Sequence, residues 1–272
     1  MRKVFKSYGR AFLMQFNLVM VMLSLLPSIL ALGLWAVVLY FSLQPLIDFL
    51  QQLFIQHNGF QLAGNILGFL GLLSLKAVIV PLIAMWLLLP LMLLTALLFV
   101  AFLAMPLINR KISRRYYPQL EKRNQDGWWD GFWFATLYLL GFLLLWLISL
   151  PLTLVVQLGL VIQPLLLGWI SYRIMAYDAL AVHASETERQ QILLHHRWQL
   201  WSVAVITGML GALPGMVWMG GVASIVFLPL LAGLAIWLYV LIFMFSGMWF
   251  QFFCLDALQQ LRQQEIPASA GS

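Results

Sequence analysis

Long apolar runs with few polar interruptions make up most of the chain. Four runs stand out: Leu18 to about Leu43, Leu62 to Ile108, Phe132 to Tyr172, and Leu200 to Phe253. About 20 apolar residues are enough for a helix to cross the hydrocarbon core of a bilayer. Because the runs are continuous rather than alternating, they favour helices over the strands of a barrel. The pattern predicts an all-α, polytopic helical membrane protein, with residues 1–272 as one transmembrane domain.

The charges between these runs decide how often the second run crosses. Residues 43–62 contain no Lys or Arg and predict an amphipathic segment on the outer face. Residues 107–131 hold a block of six cations: Arg110, Lys111, Arg114, Arg115, Lys122 and Arg123. Cationic residues collect on the cytoplasmic side of a membrane. The apolar run between the outer segment and the cationic block therefore crosses the membrane once. We expect an interfacial or re-entrant piece around Ala63 to Leu75, then one long helix from about Val78 to beyond Pro106.

The two later runs each fit a helical hairpin whose arms both return to the cytoplasm. The first bends near Ser149 to Pro151 or at Gln157 to Gly159, and the second bends at Pro214, Gly215, Gly220 and Gly221. Each hairpin either spans the bilayer or only partly penetrates it, and the sequence leaves both alternatives open. The total is about six membrane segments.

Charge placement also predicts the orientation. The expected cytoplasmic parts are an amphipathic segment (1–17), two loops (107–131 and 173–199) and a tail (256–272). They hold fourteen of the fifteen Lys and Arg residues, leaving only Lys76 outside. Both termini are therefore expected in the cytoplasm. We favour a multi-pass protein of the bacterial inner (plasma) membrane, with the endoplasmic reticulum as the alternative.

Composition excludes several classes of protein. Hydrophobic residues make up 63% of the chain and charged residues 9%, against about 25% charged in a soluble domain. The net charge of +6 lies beside the apolar runs, so we expect the lipid bilayer and anionic lipids as partners and no nucleic acid. The single cysteine, Cys254, excludes an internal disulfide and fits a small apolar residue in the last helix.

No sequence motif points to an enzyme or a cofactor. Walker, Gly-x-Ser-x-Gly and HExxH patterns are all absent from the sequence. His183, His195 and His196 lack a carboxylate or thiol at metal-ligand spacing, so we expect solvated loop histidines and no metal. Ser185 and Glu188 have the spacing of a capping box that begins a helix.

Five cations are candidates for a substrate path: Lys76, Arg173, Arg110, Arg114 and Arg197. Lys76 is the only charge inside a long apolar run, where an ionisable group is a functional candidate by default. We favour the alternative, in which Lys76 reaches the interface from the outer end of its helix. Arg173 follows the first hairpin directly.

Arg173 with Arg110, Arg114 or Arg197 would form the inner vestibule of an anion path. We favour the structural alternative, in which Arg173 is anchored at the headgroups. Asp178 then caps a helix or pairs with a loop cation. Arg173 and Asp178 are five positions apart and would be offset on a continuous helix.

Two segments carry a family resemblance. The first is Phe-Leu-Ala-Met-Pro-Leu-Ile-Asn at 102–109, followed by Gln-Leu-Glu at 119–121. The second is Tyr-Asp-Ala-Leu-Ala-Val-His at 177–183, followed by Glu188, Arg189 and Arg197. These segments resemble the etoposide-induced 2.4 / CysZ family of integral membrane proteins. The resemblance singles out Tyr177, Asp178, His183 and Arg189 as motif residues.

The resemblance implies a function and an assembly. Bacterial members mediate sulfate uptake as oligomers with partly penetrating hairpins, so we expect a small-anion (sulfate-like) permease or channel and a homo-oligomer. The chain departs from the pattern in having Tyr177 before Asp178, Ala179 in place of Pro, and no paired arginines ahead of Leu18. The alternative is a non-transporting scaffold whose basic loops bind a partner or anionic lipid.

Overall fold

The computed structural model describes residues 2–55, 88, 91–123, 133, 136–138, 140–142, 144–145, 147–149, 156–221 and 228–269. Every regular element in these ranges is a helix. The elements are α1 (Arg2–Gln15), α2 (Leu18–Ile55), α3 (Leu91–Tyr116), α4 (Thr136–Ser149), α5 (Val156–Leu180), α6 (Glu186–His195), α7 (Arg197–Gly221) and α8 (Leu228–Ser269). The all-α prediction is confirmed.

Helix α8 is the centre of the bundle. It contacts α1, α2, α3, α5, α6 and α7, and its large side chains form much of the core: Met244, Met248, Trp249, Phe250, Phe252 and Leu255. Helices α1 and α2 run antiparallel to it. Lys3 bonds to Gln260 near the end of α8, whereas the Trp237 indole donates to Ser24 Oγ (3.2 Å) closer to its start.

Asn17 separates α1 from α2. Its side-chain oxygen accepts from the Val19 amide (3.2 Å) and its carbonyl accepts from the Met20 amide (2.8 Å), which is the chemistry of an N-cap. The predicted boundary between an amphipathic N-terminal segment and a first long helix from Leu18 is thereby confirmed. On α1, Ala11 is buried against α8 while Phe5 is exposed.

Helix α3 continues past Pro106 as predicted. Residues Val100–Ala104 form one π-helical turn, in which the Met105 amide donates to the Val100 carbonyl five positions back. The helix then runs on to Tyr116, burying Ile108 and Ile112. The first part of the expected loop 107–131 is therefore helical. Pro106 does not interrupt the helix, because proline is tolerated in the first turn of a helical stretch.

Helices α5 and α7 pack closely against each other at Gly168. A Cβ on Gly168 would lie 2.7 Å from the Ala204 carbonyl oxygen, so only glycine permits this approach. On the other side of α5, the rings of Tyr138 and Trp169 lie 5.9 Å apart. Helices α4 and α5 therefore contact each other, as the arms of the first predicted hairpin would.

The two hairpin bends differ in part from the prediction. Gln157 to Gly159 lies inside α5, so a bend there is wrong, and Pro151 lies outside the described residues. Pro214 lies inside α7, which continues to Gly221. A proline within a helix removes one hydrogen bond and bends the helix without necessarily ending it.

Three described helical stretches are long and apolar enough to cross a membrane: Leu18–Ser42, Leu91–Tyr116 and Leu230–Gln264. Helix α4 is a shorter apolar helix. With these lengths and compositions, the chain is an all-α membrane protein. Predictions for residues 56–87, including Lys76 and the re-entrant piece, lie outside the described residues.

The described cations belong to segments that meet at one end of the bundle. At this end, here called the basic end, α1 begins and α3, α5 and α8 finish, as contacts of Gln260 with Lys3 and of Arg262 with His183 indicate. The expected loop 173–199 is also largely helical, since it contains the end of α5, all of α6 and the start of α7. The helix directions agree with the predicted grouping of the cationic segments.

Candidate functional site

The motif residues lie at the turn between α5 and α6 and on the helix ends beside it. Tyr177 and Arg189 are both buried, and the guanidinium of Arg189 lies over the Tyr177 ring, 4.3 Å from its centre. Arg189 also pairs with Glu186 on the first turn of α6. This cation–π stack fixes the start of α6 against the end of α5.

The predicted capping box is present. The Glu188 amide donates to Ser185 Oγ (3.3 Å), and the Ser185 amide donates to Glu188 Oε2 (2.8 Å). The two side chains thereby pair with backbone N–H groups at the start of α6 that would otherwise lack a partner.

Glu188 is also the centre of an ion-pair cluster that the sequence did not predict. Arg262 donates to both of its oxygens (2.9 and 3.1 Å), and Arg123 donates to Oε1 (2.9 Å). Arg262 further donates to the backbone carbonyls of His183 (2.6 Å) and Glu121 (3.0 Å). We call these five residues the Glu188 cluster; it joins the tail, the α5–α6 turn and the segment after α3.

The electrostatics of Glu188 follow from these contacts. Burial by itself raises the pKa of the carboxyl group. The hydrogen bonds from Arg262 and the Ser185 amide, together with the charges of Arg262 and Arg123, lower the pKa more strongly. The net effect places the pKa of Glu188 below its ordinary value, so the carboxylate stays ionised at neutral pH.

A second cluster joins α1, the residue that follows α3, and α8. Arg10 Nη1 donates to both oxygens of Asp256 (3.0 and 3.1 Å), and the Tyr117 hydroxyl donates to Asp256 Oδ1 (2.6 Å). We call Arg10, Tyr117 and Asp256 the Asp256 cluster. Arg10 is the cation closest in sequence to the start of α2. Its charge is therefore paired with a carboxylate.

Arg173 lies in an aromatic setting on α5. Its guanidinium is 5.5 Å from the centre of the Tyr138 ring and 5.4 Å from that of Tyr172. Its Nε is buried and has no hydrogen-bond partner among the described residues. Asp178 is exposed and forms no ion pair within the described chain, so the predicted pairing of Asp178 with a loop cation is not seen there.

The other described substrate-path candidates are exposed. Arg110 and Arg114 are exposed on α3, and the surface depression that they line draws its described residues from α3 alone. Arg197 is exposed at the start of α7, with its guanidinium 5.4 Å from the Trp198 ring centre.

Comparison with known families bears on this arrangement. The model of the family described as Sulfate transporter CysZ/Etoposide-induced protein 2.4 matches residues 7–220 of the 272. The chain belongs to this CysZ/etoposide-induced family. Neither the curated proteins nor the solved structures gave a match.

The family match and the clusters overlap only in part. The matched range of this CysZ/etoposide-induced member includes Arg173 and the motif turn. Arg262 and Asp256, which complete the two clusters, lie beyond it. One feature of the sequence singles out Arg262: it is the only Lys or Arg in the tail, residues 256–272.

The prediction of solvated loop histidines is wrong at one position. His183 is buried in the α5–α6 turn, so the expectation of a solvated loop histidine is wrong at this position. His195 is exposed, while His196 packs against Phe253 with ring centres 5.8 Å apart. Among the described residues no group of three or more His, Cys, Asp or Glu side chains is arranged to hold a metal ion.

Proposed function

We propose that this protein is a permease or channel for a small, sulfate-like inorganic anion. The observation that carries the proposal is membership of the CysZ/etoposide-induced family, whose description names a sulfate transporter. Long apolar helices suit a multi-pass carrier of this kind. We infer that the protein has no enzymatic activity and that it acts as a homo-oligomer.

Arg173 is the described residue best suited to contact the anion. The two tyrosine rings hold its guanidinium group in place, and planar guanidinium forks match the oxygens of an oxyanion. A buried N–H donor without a partner is costly, so a transient anion would satisfy the donor of Nε. Lys76 remains a candidate at the other end of the path.

The proposed orientation places the basic end in the cytoplasm of a bacterium. Support comes from the grouping of cationic segments, which is the usual distribution around an inner membrane. In this orientation, Arg197 would be near the inner mouth of the path, where an exposed cation attracts anions without binding them tightly.

The test is sulfate flux into proteoliposomes that contain the purified protein. Sulfate flux into liposomes with the wild-type protein is expected to exceed flux into empty liposomes. Arg173→Ala is expected to lower the flux about ten-fold or more, because losing a hydrogen bond to a charged group costs about 1.5–3 kcal/mol. Arg173→Lys separates charge from guanidinium geometry. Lys6→Ala, an exposed cation on α1, is the matched control, and Lys76→Ala tests the second candidate.

Each outcome has a clear meaning. Loss in Arg173→Ala with normal flux in Lys6→Ala supports a path at Arg173. Flux equal to that of empty liposomes, in folded and correctly oriented protein, rejects transport of sulfate. Capture of a partner by the cytoplasmic segments 107–131 and 173–199 would then test the scaffold alternative.

A further inference from the structure

Four basic residues follow Pro106 on one side of α3: Arg110, Lys111, Arg114 and Arg115. Their spacing of one, three and four positions places them side by side, and with Leu107 they line an open surface depression. The adjoining side of the helix buries Ile108 and Ile112. We propose that this α3 basic face (Leu107, Arg110, Lys111, Arg114 and Arg115) binds the phosphate headgroup of an anionic phospholipid.

The charges of the α3 basic face are not compensated by the described part of the protein. The ion pairs found there use other cations, namely Arg10, Arg123, Arg189 and Arg262. The one described ring contact of the face is Arg115 over the adjacent Tyr116, at 5.8 Å. Like charges four positions apart on a helix repel one another, so an external anion would stabilise this face.

The surroundings of the face favour a lipid over a soluble anion. The basic residues continue an apolar helix that is long enough to cross a membrane, Leu91–Tyr116. Just before them, Leu103 (41% exposed) and Leu107 (54% exposed) present apolar surface on the same helix. An anionic phospholipid offers acyl chains to this apolar surface and a phosphate to the cations, whereas a free anion offers only the phosphate.

The assignment separates two kinds of cation at the basic end. Arg123 and Arg262 are held by Glu188, and Arg10 is held by Asp256, so these three stabilise the fold. Arg110 and Arg114 are exposed and unpaired within the described chain, which leaves them available to a headgroup. The inference does not depend on whether the protein transports an anion.

The experiment titrates the purified full chain, in a neutral detergent, with short-chain phosphatidylglycerol, short-chain phosphatidylcholine or inorganic phosphate. Native mass spectrometry counts bound lipid, and thermal unfolding reports stabilisation. Each basic residue near an anionic lipid contributes roughly five-fold in affinity, so Arg110→Gln with Arg114→Gln is expected to weaken phosphatidylglycerol binding ~30-fold. Phosphatidylcholine binding should be unchanged.

The matched control is Lys6→Gln with Arg197→Gln, which removes the same charge from exposed sites on α1 and α7. It should keep the wild-type preference for phosphatidylglycerol. If the first double variant does not fold, Lys111→Gln with Arg115→Gln tests the same face. Normal gel-filtration behaviour shows that a variant is folded.

Three results would overturn the proposal. Equal loss of binding in the control would mean that net charge alone attracts the lipid. Equal affinity for phosphatidylglycerol and phosphatidylcholine would mean that the headgroup charge is not recognised. Stabilisation by inorganic phosphate equal to that by phosphatidylglycerol, at matched ionic strength, would identify a site for free phosphate.

Discussion

Arg262 donates hydrogen bonds to both carboxylate oxygens of Glu188, at 2.9 and 3.1 Å, across 74 positions of sequence. Glu188 is only 5% exposed. A charged pair with two bonds is stronger than a single neutral hydrogen bond and has a fixed geometry. The contact therefore holds the last turns of α8 against the α5–α6 turn.

Replacing Glu188 by Gln should destabilise the protein. The substitution removes the charge that Arg262 and Arg123 share and leaves Arg262 without a carboxylate partner. We expect a loss of about 1.5–3 kcal/mol in the free energy of unfolding, the range for hydrogen bonds to charged groups. Thermal unfolding in detergent, followed by circular dichroism, measures it.

Glu121→Gln is the matched control for this prediction. It removes the same charge from an exposed side chain, while the backbone carbonyl of residue 121 still accepts from Arg262. The control should unfold near the wild-type temperature. Equal destabilisation of both variants would contradict the role given to the Glu188 carboxylate.

Acid should destabilise the protein in two steps. Burial and the nearby cations Lys122 and Arg262 lower the pKa of His183 below its ordinary value of 6.5, so the folded state favours the neutral ring. Because protonation of His183 is less favourable in the folded state, its contribution to the free energy of unfolding is fully present above pH 6.5 and decreases as the pH falls below 6.5. Glu188 has a lowered pKa too, so its contribution is present above 4.5 and is lost at lower pH.

Unfolding temperatures measured between pH 8 and pH 3 test these signs. His183→Gln should flatten the decrease that begins near pH 6.5, and Glu188→Gln should flatten the one below 4.5. A His183→Gln protein that loses stability between pH 7 and pH 5 as steeply as the wild type would show the His183 assignment to be wrong.

Gly168→Ala should separate α5 from α7. The added methyl group would lie 2.7 Å from the Ala204 carbonyl oxygen, a backbone atom that moves only if its helix moves. Overpacking of this kind costs about 1–3 kcal/mol. Gly211→Ala on α7 is the control, because its added methyl group would lie more than 4 Å from every described residue outside the adjoining turns of its own helix.

The control should be neutral or stabilising, since alanine favours a helix over glycine by up to about 1 kcal/mol. Thermal unfolding of both variants in the same detergent gives the comparison. A Gly168→Ala protein as stable as Gly211→Ala would mean that the two helices are not in close contact at this point.

Tyr117→Phe should weaken the Asp256 cluster. It removes the hydroxyl that donates to Asp256 at 2.6 Å and keeps the buried ring. We expect a loss of about 1 kcal/mol, the usual net value of one hydrogen bond. Tyr116→Phe is the control, since Tyr116 is exposed and contacts Phe252 through its ring; a larger effect there would refute the prediction.

Much of the fold followed from local patterns. The apolar runs identified a helical membrane protein, Asn17 stands at the predicted start of the first long helix, and the Ser185–Glu188 capping box formed as expected. These features depend on residues only a few positions apart, whose interactions are the same wherever the segment lies. The family resemblance, carried by two short segments, was confirmed over residues 7–220.

The candidate site was predicted less completely. Arg173 and the motif residues were named, but the partners of Glu188, the stack of Arg189 on Tyr177 and the burial of His183 were not. Pro214 was expected to mark a bend, although it lies within α7. Whether a proline ends a helix or only bends it depends on the packing around it.

The sequence by itself determined which segments are apolar helices, where several of them start and which segments carry the cations. Only the tertiary structure decided that Arg262 meets Glu188, that Arg10 meets Asp256 across 246 positions, and that Arg110 and Arg114 remain exposed. The physical reason is the distance along the sequence over which each interaction acts. Helix formation and capping act within a few residues, whereas each ion pair requires two distant helix ends to meet at about 3 Å, which depends on how all the helices pack around α8.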